Sequence, residues 1–149
     1  MSLQQQIGQT ERALERLLVE VILVSTPLRS TADWIAVNVL ADLALTSPAN
    51  WIDRIAGTAR IPHAEAEGIA AHAIEIGFAS DEPAGVALSP IGQQALREAR
   101  SRIAIVTAEL EARIPAEDQA AAQRVLTSVR ELALSIEDLS QLAALGGIR

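Results

Sequence analysis

The chain has 149 residues, half of them apolar, and its twelve basic and nineteen acidic side chains give a formal charge of −7. That length builds about one domain with a core that needs no staples, and the absence of cysteine excludes disulfides, thiolate metal sites and cysteine nucleophiles. Every basic residue is arginine, the net negative charge excludes capture of nucleic acid by bulk attraction, and there is neither an apolar run of about 18 residues nor a signal-peptide pattern; a cytoplasmic protein without a membrane span is expected.

Alanine and leucine dominate, and Trp34, Trp51 and Phe78 are the only aromatic residues, so the class is mainly α with at most a small sheet. From Leu3 to Val24, apolar residues including Ile7, Leu14, Leu17, Leu18, Val21 and Ile22 recur at helical spacing. Glu11, Arg12, Glu15, Arg16 and Glu20 fill the other positions, which makes an amphipathic helix. Pro27 breaks this pattern. Ser30 or Thr31 then caps a second helix running to about Leu45, with Asp33 in its first turn and apolar residues on nearly every side. Trp34 belongs either to the core or to the wall of a ligand pocket.

Ser47-Pro48 places a hydroxyl at an N-cap and a proline at the first helical position, where its missing N–H costs nothing. The third helix so started buries Trp51, Ile52 and Ile55, exposes Asp53 and Arg54, and reads as stopping at Gly57. A fourth runs from Pro62 to Ile76 with Ala66, Ile69, Ala70 and Ala73 on one stripe, and Gly77 closes it as Phe78 returns to the core. Phe78-Ala79-Ser80 and Val86-Ala87-Leu88 flank the polar turn Asp81 to Gly85, a small β-hairpin. Ser89-Pro90 starts a long amphipathic helix to Arg113 that carries Arg97, Arg100 and Arg102. Beyond Pro115 an apolar stripe runs from Glu117 to about Leu145, includes Leu139 and Leu142, and meets Gly146-Gly147 as a stop.

Helix, turn, helix and hairpin in that order make a winged helix-turn-helix. Residues 1–149 read as a single domain, with 31–90 the winged region and 1–30 and 91–149 a helical dimerisation region. The terminal helices offer more apolar face than one small winged module covers, which points to a homodimer; the alternative is a monomeric intramolecular bundle.

The order and spacing resemble the multiple-antibiotic-resistance regulator (MarR) family of bacterial transcription factors over nearly the whole chain. Ala73-Ile74-Glu75-Ile76-Gly77-Phe78 is similar to the end of that family's recognition helix. Leu88-Ser89-Pro90-Ile91-Gly92-Gln93-Gln94-Ala95-Leu96 looks like its entry to the long dimer helix, and Ile114-Pro115-Ala116-Glu117-Asp118 resembles the acidic start of its last helices. The resemblance implies a homodimer that binds a pseudo-palindromic operator and is often released by a small aromatic or phenolic effector, for which Trp34 and Trp51 are the candidate pocket residues.

The DNA-reading positions implied are Arg54, Arg60, His63, Ala64, Glu65, Glu67, Gly68 and His72. Recognition helices read bases with arginine, amides or hydroxyls, whereas Glu65 and Glu67 face phosphates with like charge or serve the positive end of their own helix. Between Thr46 and Pro90 two arginines stand against six carboxylates, a formal charge of −4, and the wing turn lacks the arginine that family wings usually insert into the minor groove. Ile74 and Ile76, where the family usually carries charge, suggest either packing or contact with a protein partner. A second reading follows, a winged-helix interaction module that has lost direct DNA binding. No phosphate loop, nucleophile motif or metal-ligand set is present, so neither enzyme activity nor a cofactor is expected; two histidines nine apart make no zinc site.

Overall fold

The computed structural model describes residues 1–138. The expected apolar positions Leu139 and Leu142 and the Gly146-Gly147 stop lie outside the described residues. The chain divides into two compact units, Met1–Ile105 and a second beginning at Val106.

In the first unit α1 (Leu3–Arg16) opens with a reciprocal cap: Ser2 Oγ accepts from the Gln5 N–H at 3.2 Å while the Ser2 N–H donates to Gln5 Oε1 at 2.8 Å. The continuous helix expected to Val24 is interrupted. A π-helical turn, Leu17–Ile22, and a 3₁₀ turn, Leu23–Ser25, follow instead, leaving Ile22 and Leu23 buried and Val21 and Val24 outside. The β-branched run Val19, Val21, Ile22, Val24 weakens the regular ladder, and Pro27 prevents its continuation. Buried Thr26 completes the stop, its hydroxyl donating to the Leu23 carbonyl at 2.9 Å and accepting from the Leu28 N–H at 3.2 Å.

Helix α2 (Thr31–Leu43) is capped by Ser30, whose Oγ accepts from the Asp33 N–H. It crosses the middle of the unit as its apolar circumference requires: Ala36, Val39 and Leu40 enter one core and Val37 another. Helix α3 (Pro48–Ala59) starts on the Ser47 cap with Pro48 in its first turn. Gly57 does not stop it. The helix runs through Gly57 and ends where Arg60 adopts the left-handed conformation (φ 54°, ψ 50°). A Cβ on Gly57 would meet nothing within 4 Å, so Gly57→Ala is expected to raise stability by about 0.5–1 kcal/mol, read from the urea midpoint at unchanged slope.

Helix α4 (His63–Glu75) follows Pro62 and lays Ala66, Ala70 and Ala73 against α3 and α2. Gly77 (φ 86°) closes it, with the Phe78 N–H on the Ala73 carbonyl and the Gly77 N–H on that of Ile74. Strands β1 (Ala79–Glu82) and β2 (Gly85–Leu88) pair antiparallel with Asp81 opposite Val86 and Glu82 opposite Gly85. Asp81 and Glu82 thus belong to the strand rather than to the expected turn, which shrinks to Pro83-Ala84. Thr46 adds a bridge to Val86 from the other side. Helix α5 (Pro90–Glu111) starts on Ser89, whose Oγ accepts from the Gly92 N–H at 3.0 Å.

Two cores hold the unit. One gathers Trp51, Ile55, Leu40, Val86 and the α4 alanines; the other joins Leu23, Leu28 and Val37 to Phe78, Ala95, Leu96 and Ala99. In the second unit Pro115 ends the loop before α6 (Ala116–Ser135). Gln119 Nε2 donates to the Glu111 and Ile114 carbonyls at 2.9 and 2.8 Å, serving groups that a helix end leaves without partners. No residue of α6 is buried, and Val125, Leu126, Val129, Leu132 and Leu134 stand exposed. No helix among the described residues is long and apolar enough to cross a membrane.

Candidate nucleic-acid interface

Helices α3 and α4 and the three-residue connection between them, Arg60 to Pro62, form the helix-turn-helix. Small residues on the inner face of α4 let it lie close to α3, so the opposite face, with His63, Ala64, Glu65, Glu67, Gly68, Ala71 and His72, is turned to solvent. The expected DNA-reading positions are therefore all exposed, as are Arg54 on α3 and Arg60 at its end. Neither arginine forms an ion pair among the described residues. Gly68 has open space around it, so the backbone of α4 is accessible to close approach there.

The two histidines do not point freely outward. His63 sits between carboxylates of both helices, Nδ1 3.2 Å from Asp53 Oδ1 on α3 and Nε2 3.2 Å from Glu67 Oε1 one turn along α4. His72 Nε2 lies 3.8 Å from Asp33 Oδ1, a carboxylate largely buried at the start of α2. Glu67 is thereby engaged by a neighbour, while Glu65 in the first turn of α4 complements the positive helix end, worth about 0.3–1 kcal/mol. The His63–Glu67 spacing of four was legible in the sequence. Asp53, ten residues before His63 and across the turn, was not.

Arg100 and Arg102 are occupied away from this face. Arg100 donates to Asn38 Oδ1 at 2.8 Å, and Arg102 to Ser25 Oγ at 2.6 Å, tying α5 to α2 and to the 3₁₀ turn. The wing tip carries Asp81, Glu82, Pro83 and Ala84, all exposed, and no cation. Ile74 packs partly buried against the first core, whereas Ile76 is 40% exposed.

Trp51 is a correction to the sequence reading. It is 1% exposed, and its indole Nε1–H donates to the Ala36 carbonyl at 3.0 Å, which makes it a core residue rather than a pocket wall. Trp34 is half-buried against the second core. A recess in this unit lies elsewhere: a volume of about 460 Å³ lined by Leu40, Ala44, Leu45 and Leu88, with Gln93 and Arg97 on its polar side. Periodicity did not find it, because its walls come from the end of α2, the second strand and the first turns of α5. No group of three or more histidine or carboxylate side chains suited to a metal occurs among the described residues.

A recognition-type helix, a two-stranded wing and long flanking helices define the class: a winged helix-turn-helix protein. Within that class the fold is MarR-like. The structure is similar to that of the Mycobacterium tuberculosis MarR family protein Rv2887 in complex with DNA, at 14% identity and a TM-score of 0.65 over 87% of this chain and 98% of that one. It is similar to reduced MarR from E. coli, at 15% identity and a TM-score of 0.68 over 87% and 93%, respectively. It is also similar to the PcaV transcriptional regulator from Streptomyces coelicolor, at 14% identity and a TM-score of 0.68 over 91% and 100%. No protein-family model matches the chain, and no curated protein matches its sequence.

Proposed function

We propose that this chain is a bacterial, cytoplasmic, MarR-like transcriptional regulator, a DNA-binding protein rather than an enzyme, acting as a homodimer. The observation that carries the reading is the likeness to a DNA-bound relative across nearly its whole length, together with an α4 face that is open to solvent. The dimer is supported by the exposed apolar residues of α6 and by Leu3 and Leu14 on α1, since α1 and α6 have no buried residue of their own. The recess beside Arg97 suits a small apolar effector with an anionic group; a relative of the same fold, Rv2887, has been solved with salicylic acid.

Arg60 supports DNA contact on conformational grounds. A non-glycine residue in the left-handed region costs about 1 kcal/mol, and strain of this kind concentrates where a side chain is used. Arg60→Gly is expected to stabilise the fold by about 1 kcal/mol while weakening DNA binding, measured by thermal unfolding and by fluorescence anisotropy. The deciding experiment is anisotropy with DNA fragments from the gene's own upstream region at low and physiological salt. With Arg54 and Arg60 from each of two protomers on phosphates, log affinity falls against log salt with a slope of about −4. Absence of saturable binding at low salt sinks the reading.

A further inference from the structure

The geometry points to His63 as a proton-gated clamp between the two helices of the helix-turn-helix. Its two ring nitrogens face opposite ways, and each lies 3.2 Å from a carboxylate oxygen, Asp53 of α3 on one side and Glu67 of α4 on the other. A neutral imidazole has one N–H and one lone pair, so it satisfies one of these carboxylates and turns its lone pair towards the other. The protonated ring carries a positive charge between the two carboxylates and is attracted to both at once, linking α3 to α4 through a single side chain. The opposed nitrogens also mean that the three side chains cannot converge on one metal ion.

The ring is 56% exposed, so a proton reaches it without unfolding, and histidine is the side chain whose charge changes between about pH 5 and 8. The other charged groups on these two helices and their connection are Arg54, Arg60, Glu65 and Glu75; Arg54 and Arg60 form no ion pair among the described residues. His72, the other histidine of α4, meets Asp33 of α2 and stands outside this clamp. Protonation of His63 takes the formal charge of residues 46–90 from −4 to −3, which lowers the repulsion a phosphate backbone meets. For its effect on DNA the clamp rests on the operator-binding reading above; for its effect on the helix pair it does not.

Two measurements separate these. A double-mutant cycle with Asp53→Asn and His63→Gln, read from urea unfolding, gives a coupling of about two- to fivefold in the unfolding constant at about pH 5.5 and a smaller one at about pH 7.5. Both positions are on the surface, so the variants fold. Anisotropy with upstream DNA gives wild-type affinity about fivefold tighter at the lower pH, a response that His63→Gln diminishes. Coupling that grows in acid without DNA binding at either pH supports the clamp and sinks operator binding. A coupling equal at both pH values, or a pH response of DNA affinity undiminished in His63→Gln, overturns the clamp.

Discussion

Gly92→Ala is expected to cost about 3 kcal/mol or more of folding stability, far beyond the usual price of an alanine in a helix. A Cβ built on Gly92 falls 2.1 Å from the Phe78 carbonyl oxygen and 3.0 Å from its carbonyl carbon. These are backbone atoms, so no rotamer change relieves the clash. The contact is also fixed from both sides: the Ser89 N–H donates to that same Phe78 oxygen at 3.0 Å, and Ser89 Oγ meets the Gly77 carbonyl while accepting from the Gly92 N–H. Relief requires α5 to move off the turn that ends α4, and Ala95 and Leu96 then leave Phe78 in the second core. Urea unfolding followed by circular dichroism measures the loss. Gly68→Ala is the control, because Gly68 has nothing within 4 Å of its would-be Cβ and sits inside α4. A Gly92→Ala variant within 1 kcal/mol of wild type would mean that the two backbones do not meet.

That junction explains why some of the fold was legible in the sequence and some was not. Ser-Pro pairs announced α3 and α5 because capping is local: the hydroxyl and the proline act within one turn of themselves. The alanine stripe of α4 was readable for the same reason, as helical spacing converts directly into a face. Gly92 carries no such local sign; its requirement comes from a carbonyl fourteen residues earlier. Gly57 misled in the opposite direction, since glycine stops a helix where the next turn needs a left-handed residue, and here Arg60 fills that position three residues later.

The site divided along the same line. Which residues of α4 face outward followed from periodicity, and Arg54, Arg60, Ala64, Glu65, Glu67 and Gly68 all stand exposed where the sequence placed them. What those side chains touch depended on α2 and α3. Asp53 and Asp33 come to His63 and His72 from other helices, and the recess takes walls from three separate elements. Trp51 was misassigned for a related reason. An indole suits a core and a ligand pocket equally well by composition, and the partner of its N–H decides between them.

For Trp51 that partner is the Ala36 carbonyl, and Trp51→Ala is expected to cost about 3–5 kcal/mol, a large share of the roughly 5–15 kcal/mol that holds a domain together. The indole is 1% exposed in a core shared with Leu40, Ile55, Ala66, Ala70 and Val86, residues drawn from α2, α3, α4 and the wing. Its removal leaves a void bounded by four elements, each held by its own backbone hydrogen bonds, so collapse fills it only in part. Trp51→Phe separates packing from hydrogen bonding: most of the volume stays, the donor goes, and the expected cost is about 1–2 kcal/mol. Circular dichroism suits both measurements, because the substitutions remove a fluorophore. Trp34→Ala sets the scale, since Trp34 is only half-buried and its loss opens partly to water. If Trp51→Ala proved no more destabilising than Trp34→Ala, Trp51 would not be the residue that pins α3 to α2. The functional consequence runs through the same bond. α3 carries Asp53, Arg54 and, at its end, Arg60, so a helix released from Ala36 loses the fixed position from which those side chains act.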